Sequence, residues 1–298
     1  MLQKMAPGIF VLLWSTGFIG AKFGLPFAEP LTLLTIRMAL NLVVFAAFAC
    51  LVGSKTVRPR QAGHAMVVGA LIHAVYLGGV FWAISRGMPA GLAALVVGLQ
   101  PLVTAILSIF WFRQYLLPVQ WGGMLLGFGG VFLVLSGRFD WSMLSGELFW
   151  PVAVCVSSLF AITIGAMYQK RFCGNVDLVW GAFWQYFAAL VVLAPIAYTT
   201  ESMHVNWTPT FIATMGWLVL VLSFAAILLL MYLVRHGDAS KVASLFYLVP
   251  PLAALEAFVL FDERFGLIGA AGFAVTAVGV YLVMRPPRRR VVVVGGAD

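Results

Sequence analysis

The chain has 298 residues, 63% of them hydrophobic and only 9% charged, with a formal net charge of +8. A soluble domain carries about 25% charged residues; here there is too little polar side chain to cover a water-facing surface, so most of the solvent must be lipid. Three cysteines (Cys50, Cys155 and Cys173) are too few and too scattered for a disulfide framework, and they show no metal-ligand or CxxC spacing.

Apolar runs long enough to cross a bilayer need about 17–25 residues. Ten are found, over 7–24, 31–52, 63–84, 89–111, 119–136, 147–168, 177–198, 210–234, 239–261 and 267–284. The stretches between them are short and hold most of the charges, leaving no room for a soluble domain. The first run follows a short basic start at Lys4. It lacks a small-x-small cleavage site after it, so it reads as a retained helix rather than a signal peptide.

Cytoplasmic loops are enriched in Lys and Arg. With the N-terminus inside, the inner segments collect Lys4, Lys55, Arg58, Arg60, Arg113, Lys170, Arg171, Arg235, Lys241, Arg285, Arg288, Arg289 and Arg290, against Arg86, Arg138 and Arg264 outside. Both termini are therefore expected in the cytoplasm. The positive charge serves membrane orientation, not nucleic-acid binding, and residues 286–298 form a basic tail suited to anionic headgroups.

Shifted against itself by 150 residues, the chain aligns without gaps over 87–134 and 237–284. Gly87 meets Gly237, Ala93 meets Ala243, Leu95 meets Leu245, Pro101-Leu102 meets Pro251-Leu252, Gly122 meets Gly272 and Gly129 meets Gly279. Five runs per half is an odd number, so the second half starts from the opposite side of the membrane. The expected architecture is all-α, with ten transmembrane helices in two inverted five-helix repeats (1–140 and 141–285) around a central cavity. Inverted repeats are a signature of secondary transporters, which alternate by exchanging the conformations of their halves. Pro101, Pro250 and Pro251 fall near mid-run and are expected to kink their helices beside that cavity. A plain packing kink is the competing explanation.

The stretches "WSTGFIGAKFGLPFAEPLTLLTIRMAL" and "FWAISRGMPAGLAALVVGLQPLVTAILSIFWF", with the glycine-rich "GGMLLGFGGVFLVL" and its counterpart "GAAGFAVTAVGVYLV", resemble the EamA-like family of the drug/metabolite transporter superfamily. Within it they look most like the YddG-type bacterial amino-acid exporters. The resemblance covers nearly the whole chain. It implies a bacterial inner-membrane exporter of small metabolites and leaves the substrate open.

Ionisable groups inside membrane runs are costly and default to functional suspects. Lys22, Arg37 and Glu256 lie at similar depth near the outer side, as a gate or a charge pair; snorkelling explains Lys22 equally well. His73 is either a titrating coupler or a helix-helix hydrogen bond. The expected substrate-binding set is Trp14, Ser15, His73, Tyr76, Gln100, Trp184, Gln185 and Tyr247, aromatics with a few amide and hydroxyl groups. Such a set suits an amino acid or another small amphipathic molecule.

The spacing of Gly123 and Gly127, and of Ala270 and Ala274, suits close helix packing within each half. No cofactor, metal or nucleotide site is expected, since no P-loop or HExxH is present. Nor is the chain expected to be an enzyme. Partners reduce to a small-molecule substrate, the lipid bilayer and at most a second copy, as monomer or homodimer. Export of amino acids, facilitated or proton-coupled, competes with export of cationic drugs, a channel, and nucleotide-sugar transport.

Overall fold

A computed structural model gives the fold and describes residues 2–88, 93, 96–113, 116–136, 148–249, 252, 255–256 and 267–284. These residues form ten helical segments: α1 (Leu2–Gly24), α2 (Pro30–Leu51), α3 (Pro59–Ser85), α4 (Gln100–Phe112), α5 (Pro118–Ser136), α6 (Phe149–Phe172), α7 (Leu178–Thr200), α8 (Pro209–His236), α9 (Ala239–Ser244, running on as a 3-10 turn over Leu245–Leu248) and α10 (Leu267–Met284). The one β-type pairing among the described residues is a single bridge between Ala28 and Val205. Helices α2, α3, α6, α7 and α8 are each long and apolar enough to cross a membrane. Large apolar side chains such as Val43, Phe110, Tyr198 and Leu267 point outward and are well exposed, as a lipid-facing wall requires.

Local chemistry explains the helix starts. Pro30, Pro59 and Pro209 stand at the first helical positions, where a missing N–H costs nothing. Asp177 caps α7, its Oδ1 accepting from Val179 N at 2.9 Å and Trp180 N at 3.0 Å. Pro101 occupies the first turn of α4 rather than the middle of a continuous helix. The expected kink is an interruption at Gly98 and Leu99, bridged by hydrogen bonds from Leu102 N and Val103 N to Leu99 O. Pro250 and Pro251 lie outside the described residues.

Loops gather on two faces. On the first face, Asn206 N donates to Phe27 O, and two carboxylates tie the α1–α2 loop to the α7–α8 loop. Glu201 accepts from Leu31 N (2.9 Å), Thr32 N (2.6 Å) and Thr32 Oγ1 (2.7 Å) at the start of α2, while Glu29 accepts from Ser202 N and Oγ, both at 2.6 Å. On the second face, Trp180 Nε1 donates to Ser54 O, Gln61 Nε2 to Asn175 O, Arg235 Nη2 to Val176 O and Lys170 Nζ to Gly237 O.

The packing contacts come in matched sets when the two halves are exchanged. Helix α2 packs on α7, α4 on α9 and α5 on α10; α3 against α6 matches α8 against α1, and α3 against α7 matches α8 against α2. Helices α3 and α8 each widen into a π-helical stretch at mid-length, Ala70–Tyr76 and Trp217–Ala226. No proline or glycine lies inside either stretch, but a glycine stands directly before each, Gly69 and Gly216.

The α5–α10 contact is the most extensive, and it corrects the expectation of close packing within each half. Gly123, Gly127 and Gly130 face Gly272, Thr276, Gly279 and Val283 of the other half and the ring of Tyr247. A Cβ on Gly279 would come within 2.4 Å of Gly127 N, so only hydrogen fits there. Ala270 and Ala274 point away from this seam and are exposed. The reason is lateral: α5 and α10 meet each other face to face, so the Gly272–Thr276–Gly279 side of α10 is the one covered.

Candidate functional site

Among the described residues, two of the cavities inside the helix assembly lie one toward each loop face. The larger, of about 50 Å³, is lined by Trp14, Gly17, Arg37, Ile72, His73, Tyr76, Leu77, Val80, Phe81, Ile84, Leu222 and Ile227. Gly17, Arg37 and Ile84 lie in the halves of α1, α2 and α3 nearest the first face, which fixes its depth. The smaller, of about 20 Å³, is lined by Ile72, Gln100, Thr104, Ile162, Ala166, Met167, Leu230, Val234, Val242, Ala243 and Phe246 and lies toward the second face. Ile72 borders both. Its place is made by Gly165, where a Cβ would come within 2.6 Å of Ile72 Cγ1. Trp14 and Phe246, one from each lining, meet edge to face at 5.5 Å.

In the larger lining, Arg37 is the one permanently charged side chain among the described residues. It is 94% buried, with a relative exposure of 6%, and its Nε donates to Ser223 Oγ at 2.9 Å. A guanidinium offers five donors, and its hydrogen-bond partner among the described residues is a neutral hydroxyl, which does not balance its charge in an apolar setting. Across the assembly, His73 Nε2 lies 3.2 Å from Gln185 Oε1. That amide oxygen can only accept, so the ring nitrogen donates. The imidazole stacks on Tyr186 at 4.5 Å, Tyr186 stacks on Phe45 at 5.5 Å, and the Tyr186 hydroxyl donates to Ser223 O at 3.1 Å. Arg37, Ser223, Tyr186, His73 and Gln185 thus form one connected buried group.

The two polar pairs occupy equivalent registers. Arg37 and Gln185 each lie seven residues beyond the first residue of α2 and α7, and His73 and Ser223 each lie fourteen beyond the first residue of α3 and α8. The α2–α8 pair is Arg–Ser; the α7–α3 pair is Gln–His. One carries a permanent charge and the other does not.

Of the residues expected from sequence, Trp14, Arg37, His73 and Tyr76 line the larger cavity, Gln185 holds His73, and Gln100 lines the smaller one. Ser15 is fully buried and donates to Glu256 Oε1 at 2.6 Å, so Arg37 and Glu256 each take a serine. Lys22 belongs to α1, and its side chain lies outside the described residues. Trp184 and Tyr247 line neither cavity. The Trp184 ring meets Phe183 and Phe187 of its own helix, and Tyr247 packs on Gly127 at the α5–α10 seam. Sequence reasoning passed over Ser223, Tyr186 and Ile72. Ser223 had a usable signal, being the one hydroxyl in "GWLVLVLSFAAILLLM". Among the described residues no three His, Cys, Asp or Glu side chains gather as a metal site would require.

The model of the EamA-like transporter family matches residues 8–136 and again 149–285. The chain belongs to the EamA-like transporter family. A relative from Bacillus subtilis, the uncharacterized transporter YvbV, is 25% identical over 92% of this chain and 88% of its own length. The uncharacterized inner membrane transporter YedA of Escherichia coli K12 is 26% identical over 91% and 87%. A protein of the same strain named "Probable amino-acid metabolite efflux pump" is 26% identical over 92% of each chain. One solved crystal structure superposes with a TM-score of 0.81 over 94% of this chain and 95% of that one at 20% identity, which shows the fold alone. This EamA-family chain is a membrane transporter of the drug/metabolite class, and neither its family nor these relatives are enzymes.

Proposed function

We propose that this transporter exports amino acids, neutral and aromatic ones foremost, across a bacterial inner membrane by alternating access. The observation that carries the reading is Arg37, a buried cation in an otherwise aromatic and apolar lining. Such a site attracts a carboxylate on a small apolar body, and its charge repels cationic drugs. The relative named for amino-acid metabolite efflux supports the same cargo.

At about 50 Å³ the larger cavity falls well below the roughly 300 Å³ at the low end of ligand pockets. Substrate entry therefore requires the helices lining it to part. The two matched family segments, the paired contacts and the equivalent polar registers support two repeats, 1–140 and 141–285, related by inversion. The second face carries Lys55, Arg58, Arg60, Lys170, Arg171 and Arg235, and by the positive-inside rule it is the cytoplasmic one, with both termini there. The three charges Lys22, Arg37 and Glu256 remain assigned to the outer half, where they gate access to the cavity.

Counterflow in proteoliposomes tests this reading. Vesicles holding the purified protein are preloaded with a panel of unlabelled amino acids and amines. Saturable, trans-stimulated uptake of labelled phenylalanine, methionine or threonine is the expected result. Linear flux without trans-stimulation makes the protein a channel, and trans-stimulation by amines alone makes it a cationic-drug exporter.

A further inference from the structure

The smaller cavity contains a chemical anomaly. Gln100 and Thr104 are 1% and 3% exposed, and neither Gln100 Oε1 nor Thr104 Oγ1 has a hydrogen-bond partner among the described residues. Ser108 follows four residues later on the same helix, fully buried, with its Oγ also unpartnered. Residues four apart share one helix face, so α4 presents three orphan oxygens in a row, descending from mid-membrane toward the second face.

Single buried hydroxyls elsewhere, those of Thr35, Ser54 and Tyr247, also go unpartnered. No other helix lines up three such oxygens on one face among the described residues, and several membrane hydroxyls are satisfied by their own helix. Thr163 donates to Leu159 O at 2.7 Å, Ser158 to Val154 O at 2.9 Å and Thr276 to Gly272 O at 2.8 Å. A buried polar group left unpaired is costly, and three on one face of one helix call for a ligand.

We infer that Gln100 and Thr104 form a second substrate subsite, separated from the Arg37 cavity by Ile72, that accepts hydrogen bonds from the substrate's ammonium group. The inference rests on the amino-acid reading above and adds a division of labour to it. Arg37 supplies donors for a carboxylate, whereas Gln100 Oε1 can only accept and Thr104 Oγ1 is free to do so. Neither carries charge, so an ammonium group is held there without being trapped. Ser108 continues the same face for a substrate moving to or from the second face. At about 20 Å³ the chamber holds roughly one water, so it admits substrate only as Ile72 and Phe246 shift.

The test uses the full-length protein in proteoliposomes carrying the double substitution Gln100→Leu and Thr104→Val. Neither oxygen has a hydrogen-bond partner among the described residues, so thermal stability is expected to stay near wild type, and melting in detergent separates lost function from a lost fold. The expected result is a KM for phenylalanine raised about tenfold more than that for 3-phenylpropionate, which keeps the ring and carboxylate but lacks the ammonium. Equal effects on both substrates, or no effect on either as for a chamber that holds only water, overturn the subsite.

A second readout does not depend on which cargo is carried. Thr104→Cys is placed in a background with Cys50, Cys155 and Cys173 replaced by serine, and labelled with a water-soluble maleimide. Labelling that phenethylamine slows upholds the subsite, even where wild-type protein moves no amino acid and the proposed function itself fails. No labelling from either side, or labelling that the amine leaves unchanged, overturns it.

Discussion

The two chambers on either side of Ile72 have the same construction and opposite chemistry. Each is walled by helices of both halves, yet the larger contains a guanidinium that donates to a serine and the smaller contains oxygens without a partner among the described residues. The register-matched pairs differ in the same way: Arg37–Ser223 includes a permanent charge, and Gln185–His73 does not. Related geometry in two halves therefore sets where polar groups meet in the membrane. The individual side chains then decide what each meeting place binds.

The strongest way to break this contrast is to remove the charge. Arg37→Met is expected to lower kcat/KM for amino acids about a thousandfold, the cost of stripping the partner from a buried charged contact. Arg37→Lys keeps part of the activity, since the point charge survives while the fork of donors is lost. Counterflow rates for both variants check this; equal losses would show that geometry, and not charge, binds the carboxylate.

Merging the chambers comes next. Ile72→Ala deletes a side chain that is 2% exposed and is expected to cost roughly 3 kcal/mol of stability. It also joins the two cavities, so flux loses its saturation. Melting in detergent and the concentration dependence of transport report the two effects separately.

A smaller effect tests the seam that holds the halves together. Gly279→Ala places a methyl 2.4 Å from Gly127 N and is expected to destabilise by about 2 kcal/mol through overpacking. Gly122→Ala on the neighbouring face meets nothing within 4 Å and leaves the melting temperature near wild type.

The smallest effect concerns the clasp on the first face. The Ser202 hydroxyl and amide donate to Glu29 and hold its carboxyl below the ordinary value of 4.5. The bond is fully present above that value, and its contribution disappears as pH falls through the lower folded value. Glu29 is nearly solvent-exposed, so screening keeps the change small. Melting curves between about pH 3 and pH 6 are expected to flatten in Glu29→Gln relative to wild type.

Much of this was readable from residues alone. Composition pointed to lipid as the solvent. The ten helical segments among the described residues fall largely on the apolar runs, five of them long and apolar enough to cross a bilayer, because a bilayer imposes length and hydrophobicity on each segment independently of its neighbours. Pro101 marked the break before α4, since its ring constrains the backbone locally. Gln100 stood out as an amide within an apolar run, and Arg37 by the cost of a charge in lipid. Only the tertiary structure decided which of these groups meet. The π-helical stretches of α3 and α8 shift side-chain register, and the lone glycines before them, Gly69 and Gly216, do not by themselves distinguish a π-bulge from an ordinary helix. The Arg37–Ser223 bond joins residues 186 positions apart, and the α5–α10 seam depends on which faces two distant helices turn toward each other. In a chain apolar almost everywhere, hydrophobicity places helices in the membrane but does not say which face meets which. That choice falls to glycine contacts and buried hydrogen bonds, and these exist only once the helices are packed.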